Sequence, residues 1–198
     1  MSFNSITEFE NKIADFFGAK YAVAVDCATH GVELCLRHEK IKKISVPKRT
    51  YISIPFLAEK LGIELEWRDD NWEDYYPLNY DNKRIIDAAV LWRKDSYTPG
   101  TLMSVSFQFR KHLSLGRGGV ILCDNEKDAL ELKKMSYDGR LPDVPWRDQD
   151  INSIGYHYYM TPETAELGLK KLQEAIDTPP TKWKVTDWPD LSEMKVFK

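Results

Sequence analysis

Short apolar runs, separated by stretches of helical period, constrain this chain more than any other feature. "YAVAV" (Tyr21 to Val25), "ISVP", "IELEW", "RIIDAAVL", "LMSVSF" and "GGVILC" read as strands. The wholly apolar ones suit strands covered on both faces. Between them, Phe9, Ile13, Phe16 and Phe17 recur at helical spacing up to Gly18, after a Ser5–Glu8 pair that reads as a capping box. "CATHGVELCLRH" reads as a turn entering a helix, and "YISIPFLAEKLG" as a helix closed by Gly62. "NEKDALELKKMS" reads as a helix with Asp124 as its N-cap, and Thr161 with Pro162 opens a last helix, "PETAELGLKKLQEAI". Strands alternating with helices across short connections predict an α/β protein with three layers, α/β/α, around a mostly parallel central sheet.

Three segments fall outside that alternation, of which "DGRLPDVPWRDQDINSIG" reads simply as loop. "RDDNWEDYYPLNYDNK" is polar, aromatic and without period, and reads as a loop. Its acids have neither the spacing nor the turn glycine of a calcium loop. The last stretch, "DTPPTKWKVTDWPDLSEMKVFK", is broken by prolines and reads as an extended arm. The expected organisation is one domain over residues 1–177 and an arm over 178–198.

Composition narrows the function classes. A chain of 198 residues that is 42% hydrophobic has material for one real core. A net charge of −3 without a basic block argues against a nucleic-acid partner. Cys27, Cys35 and Cys123 form neither a paired framework nor a metal spacing, which fits free thiols in a reducing compartment. His30, His38 and His112 lack ligand spacing, so no metal is expected. The acidic, amphipathic N-terminus is unlike a secretory leader, and no apolar run reaches membrane-spanning length. The expectation is a soluble cytoplasmic protein without a membrane partner.

In sheets of this kind ligands bind beyond the carboxyl ends of the strands, and four stretches there carry chemistry. The turn after "YAVAV" starts a helix at Ala28, whose free N–H groups and dipole favour an anion, with the Thr29 hydroxyl adding a donor; an ordinary capped turn has the same sequence. Tyr51 reads as the start of the next helix, where its ring could pack or lie over a planar ligand. Asp87, at the end of an apolar strand, needs a partner, which could be a cap, a salt bridge or a ligand. Ser106 ends another strand, and Lys111 lies on the irregular segment before Gly116-Arg117-Gly118-Gly119. A desolvated lysine there could form a Schiff base; a solvated one would be a surface charge. Together, a lysine, a carboxylate, an aromatic ring and a helix N-terminus with hydroxyls are what a pyridoxal 5′-phosphate site requires.

The same residues carry a resemblance. "FENKIADFFGAKYAVAVDCATHGVELCL", "ISVPKRTYISIPFLAEKLGIELEW", "IIDAA", "SFQFRKHLSLGRGGVILCDNE" and "GYHYYMTPETAELGLKKL" resemble, in this order, successive segments of the DegT/DnrJ/StrS family of pyridoxal-phosphate-dependent sugar aminotransferases. The resemblance implies Lys111 as the Schiff-base lysine, Asp87 as partner of the pyridine nitrogen and Tyr51 stacked on the ring. Ala28, Thr29 and Ser106 would hold the phosphate, and His157 stands where the family has an asparagine that reaches the partner subunit's phosphate. It further implies an amino-acid donor, a keto-sugar or related acceptor, and a homodimer, whose interface Trp146, Tyr156 and Tyr158 would suit.

Departures from the pattern are specific. Val90 replaces the family's Gln or His, Arg117 stands in its Gly-Glu-Gly-Gly, and Tyr159 replaces its late arginine. A helix and strand are missing between "LEWRDD" and "RIIDAA", and a short tail follows Asp177 where the family has its small domain. The resemblance therefore implies a reduced large domain. A degenerate member that binds cofactor or a partner without transamination is the alternative; an unrelated nucleotide-binding α/β protein has only the glycine run in its favour.

Overall fold

The computed structural model describes residues 3–79 and 84–198. The end of the "YYPLNYDNK" loop, residues 80–83, lies outside the described residues.

Among the described residues, five α-helices and seven strands follow in the order α1 (Asn4–Phe17), β1 (Tyr21–Val25), α2 (Ala28–His38), β2 (Lys43–Pro47), α3 (Ser53–Leu61), β3 (Glu64–Arg68), β4 (Tyr76–Pro77), β5 (Ile85–Asp87), β6 (Leu102–Ser106), β7 (Gly119–Cys123), α4 (Glu126–Ser136) and α5 (Pro162–Asp177). The main sheet has the order β1-β7-β6-β5-β4, and β2 and β3 form a parallel pair beside it. Leu78 joins the two: its carbonyl accepts from Ser45 on β2 at 2.8 Å, and its N–H donates to Ile85 on β5 at 2.8 Å.

Strands β1, β6 and β7 are buried on both faces, as their apolar runs predict, whereas β3 is partly exposed. Ala22 and Ala24 of β1, Met103 and Val105 of β6, and Val120 and Leu122 of β7 face a core closed by α1 and α5. Their neighbours Val23, Val25, Leu102, Ile121 and Cys123 face a second core closed by α2, α3 and α4. Period-two alternation thus serves two apolar layers at once. On the first side Gly168 of α5 lets the helix settle on Phe9, since a Cβ there would lie 2.5 Å from the ring.

The α/β layering is as expected, but the pairing is less parallel. Strands β1, β5 and β6 run one way, and β7 lies antiparallel between β6 and β1. The cause is the connection: β6 reaches β7 through the closed loop 107–118 rather than a crossover helix, so the chain doubles back.

Three boundary expectations need correction. The Ser5–Glu8 capping box does not form: α1 begins at Asn4 with Phe3 at its cap, and the Ser5 hydroxyl donates to the Pro162 carbonyl at 3.5 Å. Helix α4 is capped by Asn125, whose Oδ1 accepts from Lys127 and Asp128, while Asp124 accepts from the Gly100 N–H at 2.8 Å. Tyr51 precedes α3, which starts at Ser53. The Thr161 cap and Pro162 start of α5 form as expected, with Thr161 Oγ1 accepting from the Thr164 N–H. The tail keeps its irregular character in three short 3₁₀ turns, yet it lies along the body, with Leu191 buried.

Candidate active site

The carboxyl ends of β1, β5 and β6 share one edge of the sheet, and each of them delivers a candidate residue there.

At the end of β5, Asp87 is buried. Its Oδ2 accepts from the Tyr76 hydroxyl at 2.6 Å and its Oδ1 from the Ala89 N–H at 3.0 Å. Tyr76, on the neighbouring β4, also meets Thr50 Oγ1 at 2.5 Å. Burial raises the Asp87 pKa above the usual carboxylate range, against the Tyr76 and Ala89 hydrogen bonds and the nearby charge of Lys111. Burial likewise holds the Tyr76 phenol well above its ordinary value, so it remains a donor.

Lys111 arrives from the 107–118 loop. That loop is closed by Phe107 N–H to the Gly118 carbonyl at 2.9 Å and Phe109 N–H to the Gly116 carbonyl at 3.0 Å. Gly116 sits at φ 80°, a left-handed turn that glycine adopts without strain. The Lys111 ammonium lies 4.7 Å from the Trp183 ring centroid. Burial pulls its pKa down; the Asp87 charge opposes this and Arg110 adds to it. A partly buried amine with a depressed pKa is a better nucleophile at neutral pH than a fully solvated lysine.

A cavity of about 20 Å³ joins these groups, lined by Thr50, Tyr51, Trp72, Tyr76, Asp87, Ala89, Val90, Lys111 and Trp188. Tyr51, Asp87 and Lys111 are therefore brought together as the sequence suggests, although the Tyr51 side of the pocket is open and its residue is 56% exposed.

Ala28, Thr29 and Ser106 form a second group beside this cavity and do not line it. The Ser104 hydroxyl donates to the Ala28 carbonyl at 2.9 Å, which pins the start of α2 to β6. Helix and sheet can approach this closely because Gly31 and Gly119 lack side chains: a Cβ at Gly31 would lie 2.6 Å from Ser104 Oγ, and one at Gly119 2.6 Å from the Ala28 nitrogen. Thr29 Oγ1 is 2.7 Å from Ser53 Oγ, and Ser106 Oγ accepts from the Gln108 N–H at 3.3 Å.

Around the α2 N-terminus lies an ionic group that the sequence did not reveal. His30 Nδ1 is 2.6 Å from Asp26 Oδ1, and Arg117 donates to Asp26 Oδ2 at 2.8 Å. The His30 ring stacks on Tyr158 with centroids 3.7 Å apart. Burial alone would lower the His30 pKa, but Asp26 and Cys27 overcome it and raise it to about 9. Asp26, Cys27 and His30 place ligand atoms within 4.8 Å of one another, but two cationic side chains already claim the carboxylate.

His157 stands apart from both groups. It is exposed and its Nδ1 lies 3.0 Å from Asp138 Oδ2. Of the aromatics expected at an interface, Trp146 is 70% exposed, whereas Tyr156 and Tyr158 are partly buried and stack on each other at 5.4 Å.

Residues 1–75 and 94–187 match the sequence model of the DegT/DnrJ/EryC1/StrS aminotransferase family. The chain belongs to this family. Among solved structures, AtS13 from Actinomadura melliaura is similar at 18% identity and TM-score 0.73, over 87% of this chain and 60% of that one. Sugar aminotransferase CalS13 from Micromonospora echinospora matches at 14% identity and TM-score 0.73, over 87% and 61%. DesV from S. venezuelae, in complex with a ketimine intermediate, matches at 17% identity and TM-score 0.70, over 87% and 57%. The chain thus spans about six-tenths of the length of these neighbours, and the likeness is one of fold. No curated protein sequence matches it.

The family match leaves out residues 76–93, which carry Tyr76 and Asp87. Asp87 is therefore singled out by geometry, through its meeting with Lys111, rather than by the matched segments.

Proposed function

We propose that this DegT/DnrJ/EryC1/StrS family member binds pyridoxal 5′-phosphate through Lys111 and transfers an amino group from an amino acid to a keto-sugar or related carbonyl. The observation that carries this reading is the meeting of a partly buried amine and a buried carboxylate, Lys111 and Asp87, in one cavity at the carboxyl edge of the sheet. The donor set fits the cofactor: an amine for its carbonyl carbon, a carboxylate for its ring nitrogen, and hydroxyls with a helix N-terminus for its phosphate. The space does not fit it in this conformation, since about 20 Å³ holds little more than one water, with the indoles of Trp72 and Trp188 among its walls.

When bound, the cofactor supplies an electron sink for a carbanion next to nitrogen. Everything else is done by side chains. Lys111 Nζ, with its proton affinity lowered by burial, holds the substrate-facing position and carries a proton between carbon centres. Asp87 holds a proton on the ring nitrogen, and Tyr76 and Ala89 keep its carboxylate oriented. Tyr51 offers a flat face at the open side of the pocket. Thr29, Ser106 and the N–H groups at the start of α2 supply donors for a phosphate. A homodimer belongs to this reading, with His157 on its exposed surface meeting the second subunit.

A degenerate member without turnover is the competing reading, favoured by the small volume of the pocket. An absorbance scan with added pyridoxal phosphate, before and after borohydride, followed by peptide mapping, tests the first half: a label on Lys111 supports it, and a label scattered over surface lysines refutes it. Half-reaction with an amino donor then separates enzyme from binder.

A further inference from the structure

The tail runs across the mouth of the Lys111 pocket and is fixed at points outside it. The Leu191 N–H donates to the Lys48 carbonyl at 2.8 Å, and the Leu191 side chain is buried. The Arg49 guanidinium donates to the Trp188 carbonyl at 3.1 Å. Further along, the Phe197 ring packs 5.3 Å from Phe56 and 5.2 Å from Trp67. These anchors lie on or beside the loop between β2 and α3, the one that carries Tyr51. Between them and α5 the chain turns two indoles inward. Trp188 lies 5.1 Å from Trp72 and 5.5 Å from Trp183, against which it stacks, and it lines the cavity with Tyr51, Asp87 and Lys111. Trp183 offers its face to the Lys111 ammonium at 4.7 Å.

We propose that Trp183 and Trp188 are the selectivity residues of this pocket: an intramolecular aromatic occupant that competes with the ring of an incoming planar ligand and determines what the pocket admits. The inference rests on the reading above, with pyridoxal phosphate as that ligand. An indole suits the site for the same physical reasons as a pyridine. It is flat, it stacks among aromatic neighbours, and its face attracts a cation. A tethered occupant acts at an effective concentration of the order of mM. Apparent affinity for an external ring then falls by the fraction of molecules whose strap is lifted. Binding and strap release are two descriptions of one equilibrium.

The test uses pyridoxal phosphate as the probe, with the whole chain. Retained cofactor after borohydride, mapped to Lys111, gives an apparent Kd for the wild type, for Trp188→Ala and for Leu191→Asp. The last variant loosens the strap at an anchor that does not line the pocket, so pocket damage and strap release are told apart. Both variants are expected to tighten binding by about tenfold or more. In the wild type, saturating cofactor is expected to speed tryptic cleavage after the exposed Lys182 and Lys184, which flank Trp183. Unchanged affinity in both variants, with cleavage unaffected while Lys111 is labelled, would overturn the inference and leave the proposed function standing. No label on Lys111 in any of the three proteins would overturn the proposed function, and the inference with it.

Discussion

Two polar groups sit on the same edge of the sheet and solve opposite problems. At the start of α2, Asp26, His30 and Arg117 satisfy one another: each charge has a partner within 2.8 Å, and solvent reaches them, with Arg117 side-chain exposure at 67%. In the pocket, Asp87 is buried and Lys111 partly so, with a phenol and an indole as neighbours in place of a direct counter-charge. Pairing keeps the first group charged over a wide pH range. Desolvation pushes both groups of the second toward neutrality, which suits proton transfer. Two chemistries can thus share one strand edge, provided one is paired in solvent and the other rests on a buried carboxylate.

That contrast is broken most completely by Lys111→Ala, which is expected to abolish borohydride-dependent attachment of pyridoxal phosphate; undiminished incorporation at another lysine of the variant would show that the pocket amine is not the reactive one. Next comes Tyr76→Phe. Removing the phenol takes one of two donors from a buried carboxylate, and a loss of about 1–3 kcal/mol in urea unfolding is expected, together with a further rise of the Asp87 pKa visible by carboxyl infrared titration. A phenylalanine variant as stable as the parent would mean that Ala89 alone suffices.

On the wet side the effects are smaller and depend on pH. Folded His30 keeps its proton up to about pH 9, against 6.5 for the free side chain. A folded pKa above the unfolded value gives stability that is complete below pH 6.5 and lost as pH rises through about 9. The urea midpoint of the wild type should therefore decline across that window, and His30→Gln should flatten the decline. The smallest effect is expected for Arg117→Ala, an exposed partner in an ion pair, at about 1 kcal/mol or less and screened by salt. A larger, salt-insensitive loss would show that the group is drier than its exposure implies.

What could be read from the sequence follows the range of the interactions concerned. The strands were legible because burial on both faces leaves a run of apolar residues, as in "YAVAV" and "GVILC". That Lys111, Asp87 and Tyr51 would gather was legible because the ends of strands are where such sheets hold ligands, and the three line one cavity. The antiparallel course of β7 was not, since nothing local distinguishes a strand reached by a closed loop from one reached by a helix. Asn125 rather than Asp124 caps α4 because Asp124 is taken by the Gly100 N–H, a contact that spans the fold. Tyr76 and Trp188 escaped notice for a similar reason: each lies in a segment without period, and each acquires its meaning from Asp87 or Lys111, which meet it only after folding.

The antiparallel insertion of β7 also fixes an order of assembly. Tyr21 pairs with Cys123 and Val25 with Gly119, while α1 packs on α5 near the far end of the chain. An emerging polypeptide therefore carries an apolar strand and an amphipathic helix whose main partners have yet to be synthesised. Contacts so distant in sequence make for slow folding and leave a sticky edge exposed meanwhile. The residues that must wait longest for one another are those of the first helix and the last, so the birth of this protein should be more sensitive to chaperone supply and translation speed than its finished stability would suggest.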